Sequence, residues 1–155
     1  QNITMRDVVS TYQYPNTLVV KKVKGSAIKE MLEFSAEYFT VEDGEIVVNP
    51  SYIWPKPQHY NYDMVDGIDY TVRVGNEIGD RIQDITYQGK PLEMDEYYTM
   101  VMNNYRANGG GNYDMIEKSE TLEEIQEEMV DTLMQYFKKH PVVKIEHRDN
   151  IKVII

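Results

Sequence analysis

The residues best suited to hold a transition metal in this 155-residue chain are His59, His140 and His147, and none stands in HxH, DxH or HExxH spacing. Metal-assisted phosphoryl chemistry needs several His and Asp ligands converging on one or two ions, and no local grouping of that kind occurs. All three histidines therefore read as surface or loop residues. Asp63, Asp66 and Asp69 stand close together, but the order of an EF-hand loop and its terminal glutamate are missing. The chain has no cysteine, which removes thiolate metal sites and disulfides alike. No Gly-x-Ser-x-Gly elbow marks a nucleophilic serine. The residues thus assign neither a catalytic group nor a metal ligand.

Two features point to binding instead. Arg106-Ala107-Asn108-Gly109-Gly110-Gly111-Asn112 holds three successive glycines, which let backbone approach a ligand closely. The run matches neither the Walker A pattern, lacking its Gly-Lys-Ser/Thr ending, nor the dinucleotide fingerprint, and composition alone reads it as a flexible turn. Thirteen tyrosines stand against three phenylalanines. A tyrosine joins a flat apolar face to a polar tip, a combination suited to wet surfaces and to stacking.

The elements that must position these residues follow from periodicity and capping. Thr4 predicts a short helix through Thr11, closed by the turn Tyr14-Pro15-Asn16, and Thr17 to Lys24 reads as a strand. Ser26 is expected to cap an amphipathic helix with Ile28, Met31, Leu32, Ser35, Ala36 and Phe39 on one face, and Lys29, Glu30, Glu33 and Glu37 largely off it. Asp43-Gly44 suggests a hairpin within 41–49, and a loop with three prolines and Trp54 covers 50–58. Strands are expected over 67–74, 81–87 and 97–103. Thr121 and Glu124 form a capping-box pattern predicting one long helix to His140-Pro141, buried through Leu122, Ile125, Met129, Leu133 and Phe137, with Glu123, Glu124, Glu127 and Glu128 on its solvent side. Val142 to Glu146 and Ile151 to Ile155 are further strand candidates. The sum is a single α+β domain over 1–155, a mixed or antiparallel sheet with about two main covering helices.

Composition narrows the partners. A net charge of −10 with no Lys/Arg block opposes a nucleic-acid polymer, so any nucleotide must be held through its base or with cations from elsewhere. No apolar run reaches membrane-spanning length and no signal peptide is visible. Gln1-Asn2-Ile3-Thr4 leads almost at once into a helix, the pattern expected of a piece of a longer chain.

Three ordered segments carry a resemblance. Asn103-Asn104-Tyr105-Arg106-Ala107-Asn108-Gly109-Gly110-Gly111 resembles the characteristic loop of 5′-nucleotidase C-terminal domains. Tyr14-Pro15-Asn16-Thr17-Leu18-Val19-Val20, followed by Gly25, resembles that family's other base-binding turn. Tyr60-Asn61-Tyr62-Asp63-Met64-Val65-Asp66-Gly67-Ile68 is similar to a segment of the bifunctional 2′,3′-cyclic-nucleotide 2′-phosphodiesterase/3′-nucleotidase branch.

The resemblance implies a nucleoside-recognising domain of a bacterial hydrolase of nucleotide catabolism, located outside the cytoplasm (secreted, cell-wall attached or periplasmic). Two divalent metal ions would belong to an N-terminal metallophosphoesterase domain preceding Gln1, acting in cis, and this chain alone would be catalytically inactive. Tyr14 and Tyr105 match the two rings that sandwich the base, and Asn16 matches the amide beside the base edge. Gly109, Gly110 and Gly111 would let backbone lie near the ribose or base. Two departures stand out. Many 5′-nucleotidases carry an aspartate directly after the Gly-Gly pair, where this chain has Gly111. The family's upstream glycine-rich segment with an arginine also falls before Gln1. A second reading is a non-enzymatic acidic extracellular module using tyrosines and Trp54 as platforms for sugar or protein.

Overall fold

The structure is a computed structural model describing residues 3–155, so Gln1 and Asn2 of the predicted start lie outside the described residues. It is α+β, as the periodicity predicts, and its contacts divide into two units: residues 3–22 with 99–147, and residues 23–98 with 148–155.

In the first unit, helix α1 (Met5–Thr11) begins on the predicted cap. Thr4 N–H donates to Asp7 Oδ2 at 2.7 Å, and Asp7 N–H to the Thr4 hydroxyl at 3.4 Å. Strand β1 (Thr17–Lys24) alternates so that Val19 and Lys21 are buried while Lys22 is exposed. It lies centrally in a three-stranded sheet between β7 (Tyr97–Asn103) and β8 (Glu120–Glu128). Two short helices, α3 (Asn104–Ala107) and α4 (Asp114–Glu117), flank the glycine run. Val8, Val19, Ala107, Tyr113 and Ile116 form the buried apolar centre of this unit.

Here the long predicted helix is wrong in its first half. Residues 120–128 are β8, paired antiparallel with β1 in a register that sets Leu18 opposite Ile125 and Lys22 opposite Glu120. Helix α5 starts only at Met129 and ends at Lys139, and no side chain caps it at Glu128. The glutamates that looked like a helix's solvent face are strand residues. Leu122 is exposed, and only Met129, Leu133 and Phe137 of the expected stripe lie on the helix, half-buried. The reason is tertiary. The free edge of β1 needs backbone partners, and six paired residues outweigh a helix propensity worth tenths of a kilocalorie each. The expected strand at 142–146 is also absent: the segment has no regular structure, and Val142 and Ile145 are exposed.

The second unit holds helix α2 (Gly25–Ala36), the hairpin β2 (Phe39–Glu42) and β3 (Glu45–Val48), and a four-stranded sheet. That sheet has the order β6 (Lys90–Pro91), β5 (Ile82–Tyr87), β4 (Ile68–Arg73), β9 (Ile151–Ile154). β4 pairs antiparallel with β5 and parallel with β9, so the sheet is mixed. Ser26 does not cap α2. The helix starts one residue earlier, and Gly25 and Ser26 donate their N–H groups to the carbonyls of Glu96 and Met94. Gly25 is required there, since a Cβ would collide with the Glu93 carbonyl oxygen.

Ile28, Met31, Leu32, Ser35 and Ala36 are buried as predicted, whereas Phe39 belongs to β2. Glu33 is a correction. It is buried, and its two carboxylate oxygens accept from the N–H groups of Arg81 and Ile82, both at 2.9 Å. Arg81 Nη1 in turn donates to the carbonyls of Ala36 and Phe39. A buried acid off the apolar stripe is intelligible only through these partners, because the start of β5 has donors to satisfy.

Candidate functional site

Tyr14, Asn16, Tyr105 and Gly109 to Gly111 all fall in the first unit, where two segments carry them. The first runs from the end of α1 to the start of β1. Tyr12 is the C-cap of α1, Pro15 fixes the bend, and Asn16 N–H donates to the Tyr14 carbonyl at 2.8 Å. This tight turn throws the Tyr14 ring outward, 67 % exposed. The half-buried Asn16 side chain donates through Nδ2 to the Tyr12 hydroxyl at 2.9 Å, and its carbonyl accepts the first N–H of α5, from Met129, at 2.8 Å.

The second segment runs from the end of β7 through α3 into the glycines. Asn103 caps α3 by accepting from Arg106 N–H at 2.8 Å. Asn104 reaches back, its Oδ1 accepting from Thr17 N–H at 3.3 Å. That one hydrogen bond ties the two segments together, with Asn16 and Tyr105 each adjacent in sequence to one of its ends. Tyr105 is 44 % exposed. Two rings with open faces thus stand on segments joined at their bases.

The glycine run is built rather than loose. Gly109 and Gly111 have φ of +77° and +76°, a region that favours glycine. Gly110 N–H donates to the Tyr105 carbonyl at 2.9 Å, and a Cβ at Gly110 would lie 2.6 Å from Cε2 and Cζ of the Tyr105 ring. Gly110 is therefore the floor on which the Tyr105 ring rests. Composition alone reads the run as a turn, and the structure adds the contact of Gly110 with the Tyr105 ring.

Four residues that sequence reasoning gave no role complete the arrangement. The buried Arg106 guanidinium lies 3.6 Å from the centroid of the Tyr113 ring and 5.6 Å from that of Tyr105, and it donates to the Gly110 carbonyl. Tyr113, fully buried, donates its N–H to the Gly109 carbonyl at 3.1 Å. Lys21 is 3 % exposed, and its Nζ donates to the carbonyls of Ala107 and Glu117 at 3.0 and 3.2 Å, the last residues of α3 and α4. A cation there meets the negative ends of two short helices. Burial pushes the Lys21 ammonium below its ordinary pKa, with Glu117 opposing. One signal for Lys21 was present in the sequence, since it falls in phase with Val19 on the inward side of β1. Tyr12, the fourth, sits edge-on to Tyr14, with centroids 6.4 Å apart and planes at 81°.

Elsewhere the chemistry is thin. Among the described residues no group of three or more His, Cys, Asp or Glu could hold a metal ion. His59, His140 and His147 are exposed; His59 Nδ1 shares a hydrogen bond with the Tyr38 hydroxyl, and the His140 ring lies on Tyr136. Asp66 pairs with Arg148, and Asp69 accepts from Thr86. Among the described residues no helix is long and apolar enough to cross a membrane.

The chain is mixed α+β, with two exposed tyrosines on segments joined by a hydrogen bond and one of them, Tyr105, lying against Gly110. The sequence matches the family described as 5′-nucleotidase, C-terminal domain, over residues 1–118. The chain belongs to that family. It is 36 % identical over 121 residues to a 2′,3′-cyclic-nucleotide 2′-phosphodiesterase/3′-nucleotidase of Salmonella typhimurium, covering 70 % of this chain and 19 % of the relative. It is 28 % identical over 161 residues to a trifunctional nucleotide phosphoesterase protein of Bacillus subtilis, 96 % of this chain and 11 % of that one. A solved Staphylococcus aureus structure described as a 5′-nucleotidase, in complex with alpha-ketoglutarate, superposes with a TM-score of 0.93 at 39 % identity, over 99 % of this chain and 30 % of the other. The chain thus spans less than a third of each of these proteins, and the resemblance drawn from the three sequence segments agrees with the family found.

Proposed function

We propose that this chain is one nucleoside-recognition domain, in which Tyr14 and Tyr105 stack on the two faces of a nucleobase and the Asn16 amide meets its edge. Gly109 to Gly111 support this by holding Tyr105 and presenting close-lying backbone. The observation that carries the reading is the Asn104–Thr17 hydrogen bond, which joins the two tyrosine-bearing segments while both rings stay open to solvent. Stacking suits an acidic domain, because each stacked base contributes roughly 1–3 kcal/mol without a cationic groove.

In its whole-protein context the domain serves a metal-dependent phosphohydrolase of nucleotide catabolism in bacteria, outside the cytoplasm. Its substrates are 2′,3′-cyclic nucleotides and 3′- or 5′-nucleotides, in keeping with the names of the relatives above. Two divalent ions are assigned, by the family resemblance, to a metallophosphoesterase domain in cis; among the described residues no group fits a metal centre, and no chemical step is assigned to this chain. Gly111, where many 5′-nucleotidases carry an aspartate, leaves ribose without that side-chain partner.

The test is a titration of the chain with adenosine, followed by NMR or tyrosine fluorescence. Tyr14→Ala and Tyr105→Ala should each weaken binding roughly five- to a hundredfold, the loss of one stacked ring. Millimolar adenosine that perturbs neither tyrosine would remove the basis of the reading. Phosphate release from nucleotides by the purified chain with added divalent metal would overturn its assignment as non-catalytic.

A further inference from the structure

Residues 104–119 leave the three-stranded sheet at the end of β7 and return to it at β8, and both of those strands flank β1. This excursion carries Tyr105 and the glycine run, and β1 is the strand into which the Tyr14 turn leads. Bonds within the turn, from Gly110 N–H to the Tyr105 carbonyl and from Tyr113 N–H to the Gly109 carbonyl, fix its shape but not its place relative to β1. Two side chains bridge to the strand. Asn104 Oδ1 holds the first residue of α3 to Thr17 N–H, and Lys21 Nζ holds its last, Ala107, together with the last residue of α4, Glu117. The helix carrying Tyr105 is thus fastened at both ends to the strand that follows Tyr14.

The sheet alone gives no reason for a lysine at this position. The inward residues of β1 are Val19, Lys21 and Val23, all of them buried, and an apolar side chain would pack there without the cost of burying a cation. What an apolar side chain cannot do is donate to two carbonyls of the excursion.

We infer that Lys21 is a positioning residue for base binding: its ammonium fastens the Ala107 and Glu117 ends of the glycine turn to β1 and so holds the Tyr105 ring in place relative to Tyr14 before a ligand arrives. The inference rests on the nucleoside reading above and adds pre-organisation to it, since a ring already in place binds without the ordering cost of a loose one. Lys21 acts through Tyr105 and touches no ligand.

The test is a double-mutant cycle read by adenosine titration. Lys21→Met keeps much of the side-chain bulk and removes the donors; with the circular dichroism spectrum retained, it should weaken adenosine about fivefold, part of the contribution of one stacked ring. Added to Tyr105→Ala, it should cost less than about twofold more, because the ring it positions is gone. A lysine serving only stability would weaken both backgrounds alike, or neither. In the ligand-free chain, Lys21→Met should also shift the NMR signals of the Tyr105 ring. Lys21→Gln retains an amide donor, should lose less than Lys21→Met, and carries the cycle if Lys21→Met does not fold.

Unchanged adenosine affinity in a folded Lys21→Met chain overturns the inference, as does an equal fold-loss with and without the Tyr105 ring, or a Tyr105 signal that stays put. If Tyr105→Ala weakens adenosine while the Lys21 variants do not, the stacking site stands and this inference alone falls. If Tyr105→Ala leaves adenosine binding unchanged, both fall.

Discussion

At the residue scale, the orientation of Tyr105 is decided by what lies under it. The ring rests on the Gly110 peptide, whose carbonyl is held by Arg106, and Arg106 is itself fixed over Tyr113. The backbone at Gly110 is not in the left-handed region, so an alanine there is tolerated by φ and objectionable only through contact. Gly110→Ala must displace both the ring and the turn beneath it, since its Cβ would sit 2.6 Å from two ring carbons and from the Tyr105 carbonyl oxygen. The expected outcome is a loss of adenosine affinity of about tenfold with the circular dichroism spectrum retained. Unchanged affinity in a folded Gly110→Ala chain would show that the packed ring is not the binding surface. The sequence made Gly110 legible as a close approach to a ligand, and the structure adds a close approach to a tyrosine of the same chain.

At the element scale, two features were misread for one reason. β8 has a capping-box pattern and a run of helix-favouring glutamates, and α2 has Glu33 on what looked like its wet side. In each case a partner distant in sequence supplies what local pattern cannot show. β1 lies about a hundred residues before β8, and the start of β5 lies 48 residues beyond Glu33. The Glu33 contact is measurable in its own right. Glu33→Ala leaves the N–H groups of Arg81 and Ile82 without their acceptor and should cost about 3 kcal/mol of unfolding free energy in a denaturant titration. Glu33→Gln keeps one acceptor oxygen and should cost less. Equal stability of Glu33→Ala and the unmodified chain would mean that the carboxylate is not what holds β5 to α2. By contrast α1, β1, the 39–48 hairpin and β4, β5, β7 and β9 were legible, because each carries its own cap, turn or alternation.

At the scale of the whole molecule, charge is the dominant property. A chain of net charge −10 repels the phosphate it is proposed to help present, while stacking is indifferent to charge. Adenosine should therefore bind this chain more tightly than adenosine 5′-monophosphate at about 10 mM salt. The gap should narrow several-fold by about 0.5 M, where the Debye length drops to a few ångströms. Isothermal titration across that salt range checks it, and tighter binding of the monophosphate at low salt would show a local positive field overriding the net charge.

The sequence by itself determined the class. Three motif segments in order pointed to the family, and caps, turns and alternation placed most elements, because these signals act over a few residues. It also named the two tyrosines, the asparagine and the glycines. Only the tertiary structure decided what holds them. Asn104 reaches across 87 positions to Thr17, Lys21 reaches 86 to Ala107, and β8 is a strand because β1 offers it an edge. These are pairings between groups far apart in the chain, and a buried donor or acceptor takes the partner that folding brings to it, which no local pattern specifies. The glycine turn shows the division most plainly: its glycines were readable at once, and its role as the floor beneath Tyr105 exists only in three dimensions.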